Sequence, residues 1–265
     1  MSLSIRILGC GSSGGVPRVG MEWGSCDPHN PKNRRRRCAI LLERKTETAE
    51  STNVLVDTGP DLREQLLDVG VKHLDAVLLT HHHADHTHGI DDVRPLVTKM
   101  HKLIDLHMDD PTSAVVRQKF SYIFEKPTNS FYAPLLNEKR LIAGQSIRIA
   151  GPGGAIDALP FRVEHGEIDA LGFRFDDVAY TPDVNGIPPE SVGALEGLDL
   201  WIVDAFRYTR QPSHFCLSET LEWIARLKPR RAVLTNMHVD LDYEILRQEL
   251  PRNVEPAYDG MILHP

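Results

Sequence analysis

The residues best suited to chemistry form one compact motif, H-H-H-A-D-H at positions 81–86. His81 and His83 are two residues apart, so in an extended segment both rings point the same way and can hold one ion. Asp85 and His86 follow a change in chain direction and can converge on a second ion beside the first. Imidazole and carboxylate together suit zinc, manganese or iron rather than calcium. The motif therefore predicts a metal site.

The residues around this motif indicate what positions it. Residues 76–79 are continuously apolar, as in a strand covered on both faces, and Thr80 marks the point where the chain surfaces. Gly89 supplies a turn behind the motif. A solvated histidine-rich loop, the alternative, would lack both the apolar strand and the turn. We therefore expect the ligands to lie at the end of a buried strand.

Composition limits the class of protein. The chain has 265 residues, 41% of them hydrophobic and 25% charged, which is typical of a globular protein with a full core. The formal charge of −7 disfavours general polyanion binding but leaves room for a local basic patch. The four cysteines are scattered without C-x-x-C spacing, which indicates reduced thiols in the cytosol. No secretory segment and no membrane span are recognisable, so we expect a cytoplasmic protein with no membrane partner.

Apolar runs and alternating patterns predict the elements that hold the motif. Strands are predicted at residues 4–8, 38–43, 53–57, 76–79, 102–108, 147–150, 158–164, 171–175, 178–180, 200–204 and 232–235. Helices are predicted at 112–124 and 216–228, with a shorter helical stripe at 62–69.

The string H-x-H-x-D-H after an apolar strand and a threonine resembles the signature of the metallo-β-lactamase superfamily, whose members are mostly hydrolases with two metals. The resemblance runs from Gly9 to residues 259–261 and is strongest to the phosphonate-operon (PhnP-like) phosphodiesterases, which are similar to ribonuclease Z. It implies an α/β fold, the four-layer αββα sandwich, with residues 1–265 forming a single hydrolase domain.

The resemblance also implies a ligand set in which two groups share one carboxylate. The first ion would be held by His81, His83 and His165, the second by Asp85, His86 and His238, and both by Asp183. A bridging carboxylate offsets the repulsion between two cations and lets them approach to roughly 3.5–4 Å. Two divalent ions, zinc or manganese, are the expected cofactors. The site keeps a net positive charge, which suits an anionic substrate.

The chain departs from these relatives after its last core strand. They carry a histidine ligand where Asn236 stands and another histidine where Val239 stands. His238 shares a face with Asn236 in an extended chain, so we expect His238 to bind the second ion and Asn236 to lie nearby. Of the cysteines that hold a structural zinc in many relatives, only Cys26 remains in this loop. We expect no structural zinc, and a loop fixed by Trp23 packing and arginine contacts.

Three residues are expected to act in catalysis. In the superfamily an aspartate at the place of Asp57 supports the metal ligands, although it can also cap the helix that follows. Asp85 is expected to contribute to catalysis as well as to metal binding. His214 resembles a histidine that the related phosphodiesterases place near the leaving group, where it can donate a proton. A contact at the N-terminus of the next helix is the alternative for His214.

Two motifs leave their role open. The glycine-rich residues 9–17 follow a strand and either bring backbone N–H groups close to an anion or form a plain tight loop. The four arginines at 34–37 form either a solvated face or an edge that faces phosphate.

We expect a dinuclear metal-dependent phosphodiesterase that hydrolyses a small phosphodiester, a cyclic phosphate or nucleotide-like, with hydroxide supplied between the ions. The alternatives are a ribonuclease Z-like RNA-processing nuclease and a non-catalytic nucleotide- or metal-binding module. The chain lacks the long basic insertion that ribonuclease Z uses to grip transfer RNA, so RNA is the less favoured partner. The sequence leaves the substrate, the metal in the cell and the oligomeric state open, a homodimer included.

Overall fold

The strands of the computed structural model, which describes residues 2–126, 128, 131 and 133–265, form two seven-stranded sheets. The first sheet contains, in spatial order, β14 (Ile262–Leu263), β1 (Ser2–Gly9), β2 (Ala39–Lys45), β3 (Ser51–Val56), β4 (Ala76–Leu78), β5 (Ile104–Met108) and β6 (Leu136–Arg140). The second contains β13 (Val254–Pro256), β12 (Arg231–Thr235), β11 (Leu200–Asp204), β10 (Val178–Thr181), β9 (Ile168–Phe175), β8 (Ile156–His165) and β7 (Ile147–Ile149).

The α-helices follow the strands in the chain and cover the sheets. They are α1 (Leu62–Val69), α2 (Ala84–Thr87), α3 (Arg94–Met100), α4 (Asp110–Phe120), α5 (Pro189–Val192), α6 (Leu217–Leu227) and α7 (Tyr243–Glu249). Within the described ranges, none of the helices combines the length and the apolar character needed to cross a membrane.

Strand β4 is apolar throughout because it is covered on both faces. Ala76 and Leu78 pack into the core between the two sheets, whereas Val77 and Leu79 pack into a second core beneath α1, α3 and α4. Successive side chains point to opposite faces, and both faces are covered, so apolar residues are favoured at every position. Helices α6 and α7 pack on the second sheet. The four-layer αββα sandwich is thereby confirmed.

The strands that position the site run parallel in each sheet. Strands β3 to β6 are parallel in the first sheet, and β10 to β13 are parallel in the second. The carboxyl ends of parallel strands lie at one edge, where ligands bind in such sheets. The backbone N–H of Leu171 donates to the carbonyl of Thr80 at 2.8 Å and joins the two sheets at this rim.

Strand β6 and helix α4 differ from the sequence prediction. The apolar runs and alternating patterns of the sequence did not predict β6. This strand lies at the edge of its sheet, where Leu136 is buried and the polar residues after it are largely exposed. Helix α4 begins earlier than predicted because the Asp109 side chain accepts a hydrogen bond from the N–H of Thr112 at 3.0 Å and caps the helix there.

Candidate metal centre

Three histidine rings converge where β4 and β8 end. Nε2 of His81 lies 2.9 Å from Nδ1 of His83, which lies 3.2 Å from Nε2 of His165. The opposite ring nitrogens have protein partners: Nδ1 of His81 is 3.0 Å from Oγ1 of Thr80, and Nδ1 of His165 is 2.6 Å from the carbonyl oxygen of Ser213. These partners fix the ring orientations, so the three facing nitrogens are available to one cation.

A second group forms around helix α2. Nε2 of His86 lies 3.3 Å from Oδ2 of Asp85 and 3.3 Å from Oδ1 of Asp183. His86 is completely buried, and among the described residues its Nε2 lies near these two carboxylates without a well-aligned hydrogen bond. A buried polar atom without a well-aligned hydrogen bond is unfavourable. A metal ion held with the two carboxylates would satisfy this nitrogen.

Asp183 lies between the two groups, just after β10. Its Oδ2 is 3.4 Å from Nε2 of His165 and 3.8 Å from Nε2 of His81, while its Oδ1 faces His86. The residue is only 3% exposed. Each carboxylate oxygen therefore faces a different group of ligands.

Asp57 holds the ring of His86 from behind. Its Oδ2 lies 2.7 Å from Nδ1 of His86, and its Oδ1 accepts a hydrogen bond from the N–H of Thr80 at 2.9 Å. The backbone of Asp57 has a φ of 67°, a strained conformation for a residue other than glycine. Helix α1 is preceded by Asp61, so Asp57 does not cap the helix, and its carboxylate contacts His86 and Thr80 instead.

The protonation states of the histidines suit this arrangement. Burial lowers the pKa of His81 and His165, and lowers that of His83 to about 4, so these rings are neutral at pH 7. Neutral imidazole is the form that binds metals. For His86, burial lowers the pKa, but Asp183 and the other neighbouring carboxylates raise it well above its ordinary value. The same carboxylates favour a metal cation at that place.

His214 lies beside the first group of histidines. Its ring centroid is 4.8 Å from that of His165, and it stacks on Phe206 at 4.5 Å. Nδ1 of His214 lies 2.8 Å from Oδ2 of Asp204. Burial lowers the pKa of His214, but Asp204 raises it to about 9. Burial in turn raises the pKa of Asp204 to about 7.

Asp204 was not among the site residues predicted from the sequence. Its position could have indicated a role at the site, because it ends the buried parallel strand β11 just as Asp57 directly follows β3. A carboxylate at the carboxyl end of a buried parallel strand points to this rim.

Asn236 contacts the candidate ligands. Its backbone has a φ of 58°, and its Nδ2 lies 3.4 Å from Oδ1 of Asp183 and 3.1 Å from Nδ1 of His214. The amide thus lies between the carboxylate and the imidazole, as expected for a polar group near the site.

We expected His238 to bind the second ion, but the structure places it away from the other candidate ligands. Across the described part of the chain, its ring nitrogens contact Arg18, Arg207 and Asp240, and no metal-holding group includes it. The expectation assumed an extended chain after β12. The left-handed conformation of Asn236 breaks that alternation, so residues 236 and 238 do not share a face.

The loop that carries Cys26 is held by apolar packing. Cys26, Val16 and Val239 form a small buried cluster, and Trp23 packs against it. Nη1 of Arg35 lies 3.8 Å from the sulfur of Cys26. The predicted Trp23 packing and arginine contact are therefore present.

The arginine run at 34–37 does not act as one surface. Arg35 is buried, with 2% of its surface exposed. Arg36 pairs with Asp68 at 2.6 Å, and Arg37 pairs with Asp61 at 3.1 Å. Arg35, Arg36 and Arg37 thus have partners within the fold, whereas Arg34 is exposed, so the four side chains do not share one face.

The glycine-rich loop packs closely against that arginine segment. The N–H of Gly11 donates to the carbonyl of Arg36 at 2.8 Å. A Cβ added at Gly11 would lie 2.9 Å from Cβ of Arg35, so glycine permits the close approach. The tight-loop interpretation is the one that fits this contact.

Residues 52–237 match the family model described as Beta-lactamase superfamily domain. This chain belongs to the beta-lactamase superfamily. A solved diphosphatase of the PhnP family is 32% identical to this superfamily member, with a TM-score of 0.88 over 100% of this chain and 98% of that one. That likeness places it in the PhnP-like branch.

More distant structures share the fold of this beta-lactamase superfamily member. Zinc-bound PqqB from Methylobacterium extorquens is 17% identical, with a TM-score of 0.75 over 98% of this chain and 99% of that one. The short form of human tRNase Z is 18% identical, with a TM-score of 0.64 over 98% of each chain. At these identities the likeness shows the fold alone.

A curated relative is the octanoyltransferase of Porphyromonas gingivalis (strain ATCC BAA-308 / W83), which is 29% identical over 259 residues. The match covers 96% of this chain and 50% of the relative, so the chain spans about half of that protein's length. The family, the fold and the histidine–aspartate cluster together identify this beta-lactamase superfamily member as a metal-dependent hydrolase.

Proposed function

We propose that this protein hydrolyses a small phosphodiester and uses two divalent ions, zinc or manganese. The proposal depends on the position of Asp183, whose two oxygens face two different groups of ligands. The first ion would be held by His81, His83 and His165, the second by Asp85 and His86, with Asp183 shared between them.

The second ion would have fewer protein ligands than the sequence indicated. Without His238 it is left with Asp85, His86 and Asp183, and three protein ligands are typical of a catalytic ion that keeps an open position. When bound, such a pair of ions lowers the pKa of a water molecule and stabilises charge on the phosphoryl oxygens. Nδ2 of Asn236 contacts Oδ1 of Asp183 at 3.4 Å.

We further propose that His214 donates a proton to the leaving group. A departing alkoxide is strongly basic, and a positioned imidazolium can protonate it as it leaves. Asp204 engages Nδ1 of His214, so Nε2 is the nitrogen left to donate. A module that only binds nucleotides or metals would have no use for this aspartate–histidine pair, which supports an enzyme over that alternative.

Hydrolysis at phosphorus is also supported by the PhnP-family diphosphatase, which is 32% identical to this chain. A small substrate is favoured over structured RNA for two reasons. Arg35, Arg36 and Arg37 are engaged within the fold, and the chain carries a formal charge of −7.

Hydrolysis of bis(p-nitrophenyl) phosphate tests the proposal. We expect turnover that depends on added manganese or zinc, and its loss in Asp183→Asn. The control is Asp199→Asn, at a half-exposed aspartate that pairs with Arg230 at 3.1 Å, and it should keep wild-type turnover. A folded protein that turns over no phosphodiester with manganese, zinc or nickel would contradict the proposed function.

A further inference from the structure

The second group of ligands has a further polar neighbour, the side-chain amide of Asn236. Its Nδ2 lies 3.4 Å from Oδ1 of Asp183, and that carboxylate oxygen lies 3.3 Å from Nε2 of His86. Asn236 is only 2% exposed. Ligand atoms that lie about 2.0–2.2 Å from one ion are separated from each other by roughly 3.0–3.5 Å. The amide of Asn236 therefore has the spacing of a ligand to the second ion.

The neighbours of this amide favour its oxygen at the position that faces the ligands. Nδ1 of His214 lies 2.8 Å from Oδ2 of Asp204, and an ionised carboxylate can only accept, so Nδ1 carries a proton. Nδ2 of Asn236 lies 3.1 Å from the same Nδ1, so two donors face each other. A half-turn of the amide, which exchanges two atoms of similar size, would place Oδ1 there instead. That oxygen would lie beside Oδ1 of Asp183, where a cation can be shared by the two acceptors.

The two groups of ligands would then differ in their chemistry. The first group has three imidazole nitrogens and one oxygen of Asp183, a set that suits zinc. The second group has a single imidazole nitrogen, that of His86. Its three oxygens would come from Asp85, Asp183 and Asn236. Carboxylate and carbonyl oxygens suit manganese in octahedral geometry, so four protein ligands would still leave positions for water and substrate.

We propose that Asn236 binds the second ion through Oδ1, and that the centre holds two unlike ions, zinc in the first group and manganese in the second. The inference rests on the proposed function, because it assumes the dinuclear centre, and it narrows the choice of metal there. Zinc generally binds a given set of ligands more tightly than manganese. Imidazole favours zinc and oxygen ligands favour manganese, so the advantage of zinc is smallest in the group with one histidine.

Metal competition tests this assignment directly. The chelator-treated full chain is dialysed against a buffer with manganese in large excess over zinc, and the bound ions are measured by elemental analysis. We expect one zinc and one manganese per chain in the wild type. Asn236→His exchanges an oxygen for an imidazole nitrogen at a left-handed position that histidine tolerates, so we expect two zinc ions and no manganese. The same metal content in the wild type and in Asn236→His would overturn the inference.

Asn236→Gly removes the amide and suits the backbone, because glycine adopts a φ of 58° without strain. Free manganese gives a sharp electron paramagnetic resonance signal that broadens when the ion is bound, so a titration measures its Kd. With one equivalent of zinc already bound, we expect manganese to bind about tenfold more weakly in Asn236→Gly than in the wild type. An unchanged Kd would show that the amide does not bind the ion, even if Asn236→His does not fold.

Asn137→His is the matched control, because it adds a histidine outside both groups of ligands. Asn137 is an exposed residue of the edge strand β6, and its Nδ2 donates to Oδ1 of Asp105 at 2.7 Å. We expect this variant to keep one zinc and one manganese per chain and the wild-type Kd for manganese. Circular dichroism establishes that each variant is folded.

Both measurements count or titrate bound metal, so they separate this inference from the proposed function. If the wild type and the variants bind the expected ions but the loaded protein cleaves no diester, the proposed function fails and the role of Asn236 stands. If diesters are cleaved but Asn236→His and Asn236→Gly bind metals as the wild type does, the role assigned to Asn236 is wrong.

Discussion

At the scale of single residues, His214 depends on its neighbours for any role in proton transfer. Asp204 engages its Nδ1 at 2.8 Å, Asn236 contacts the same nitrogen at 3.1 Å, and Phe206 stacks on the ring. These contacts prevent rotation of the imidazole and leave one nitrogen for the substrate. The protonated form is also favoured, because Asp204 stabilises the imidazolium.

The variant His214→Gln tests proton donation. We expect kcat to fall about 10²- to 10⁴-fold for a 2′,3′-cyclic nucleotide, whose leaving group is an alkoxide. The loss should be much smaller for bis(p-nitrophenyl) phosphate, because p-nitrophenolate leaves without a proton. Chromatographic and absorbance assays measure the two rates. Equal losses on both substrates, with unchanged metal content, would show that His214 has another role.

The variant Asp204→Asn tests the origin of the pKa of His214. Burial lowers that pKa and Asp204 raises it to about 9, so the protonated donor is present below that pH and is lost above it. Removing the carboxylate lowers the pKa, and the alkaline limb of kcat/KM should move to lower pH. Profiles on a cyclic nucleotide measure the limb, with Asp199→Asn as the control. A limb that stays in place in Asp204→Asn would contradict the pairing.

Metal content distinguishes Asp183 from His238. Asp183→Asn removes an oxygen from between the two groups of ligands, so we expect fewer than the two bound ions per chain proposed for the wild type. His238→Ala should leave the number unchanged, because its ring contacts arginines rather than the ligands. Elemental analysis of dialysed protein measures both. Loss of an ion in His238→Ala would restore that residue to the ligand set.

Local backbone geometry explains why some site residues could be predicted from the sequence and others could not. The spacing of His81 and His83 fixes their geometry in an extended chain, so the sequence could predict that they meet. The position of His238 depends on one backbone angle at Asn236, which residue type does not reveal. Asp204 carried a positional signal, but its partner became evident only when His214 was placed beside it.

At the scale of elements, the strands end in unusual backbone conformations. Asp57 follows β3 with a φ of 67°, and Asn236 follows β12 with a φ of 58°. Each residue turns its side chain back toward the ligands at the rim. Apolar runs predict such strands well because both faces are buried, whereas the edge strand β6 and the four-residue helix α2 are too polar or too short to produce a pattern.

Gly59→Ala tests the contact that seats helix α2. A Cβ at Gly59 would lie 2.1 Å from the carbonyl oxygen of Asp85, so the helix must move and take its ligands with it. We expect the free energy of unfolding to fall by about 1–3 kcal/mol, measured in urea, and metal content to fall as well. Gly193→Ala is the control, since among the described residues no atom lies within 4 Å of its added Cβ. Equal stability of the two variants would show that α2 tolerates the displacement.

At the scale of the whole molecule, the candidate metal centre joins the two sheets. His81 and His83 follow β4 of the first sheet, whereas His165 ends β8 and Asp183 follows β10 of the second. The overall sandwich could be predicted because the motif resembles a known signature and the strands are apolar. The meeting of ligands more than 80 positions apart depends on the packing of the sheets, which no local pattern contains.

Metal removal should therefore loosen the contact between the sheets. An ion present at about 100 times its Kd adds about 2.7 kcal/mol to stability, and 1 kcal/mol corresponds to about 2–4 °C in a domain of this size. We expect a chelator to lower Tm by about 5–10 °C relative to zinc-loaded protein, measured by circular dichroism. His165→Ala should reduce this difference, because it removes a ligand from the second sheet, whereas His29→Ala, at an exposed histidine, should keep it. If Tm did not depend on zinc, the histidines at this rim would not be holding the sheets together through a metal.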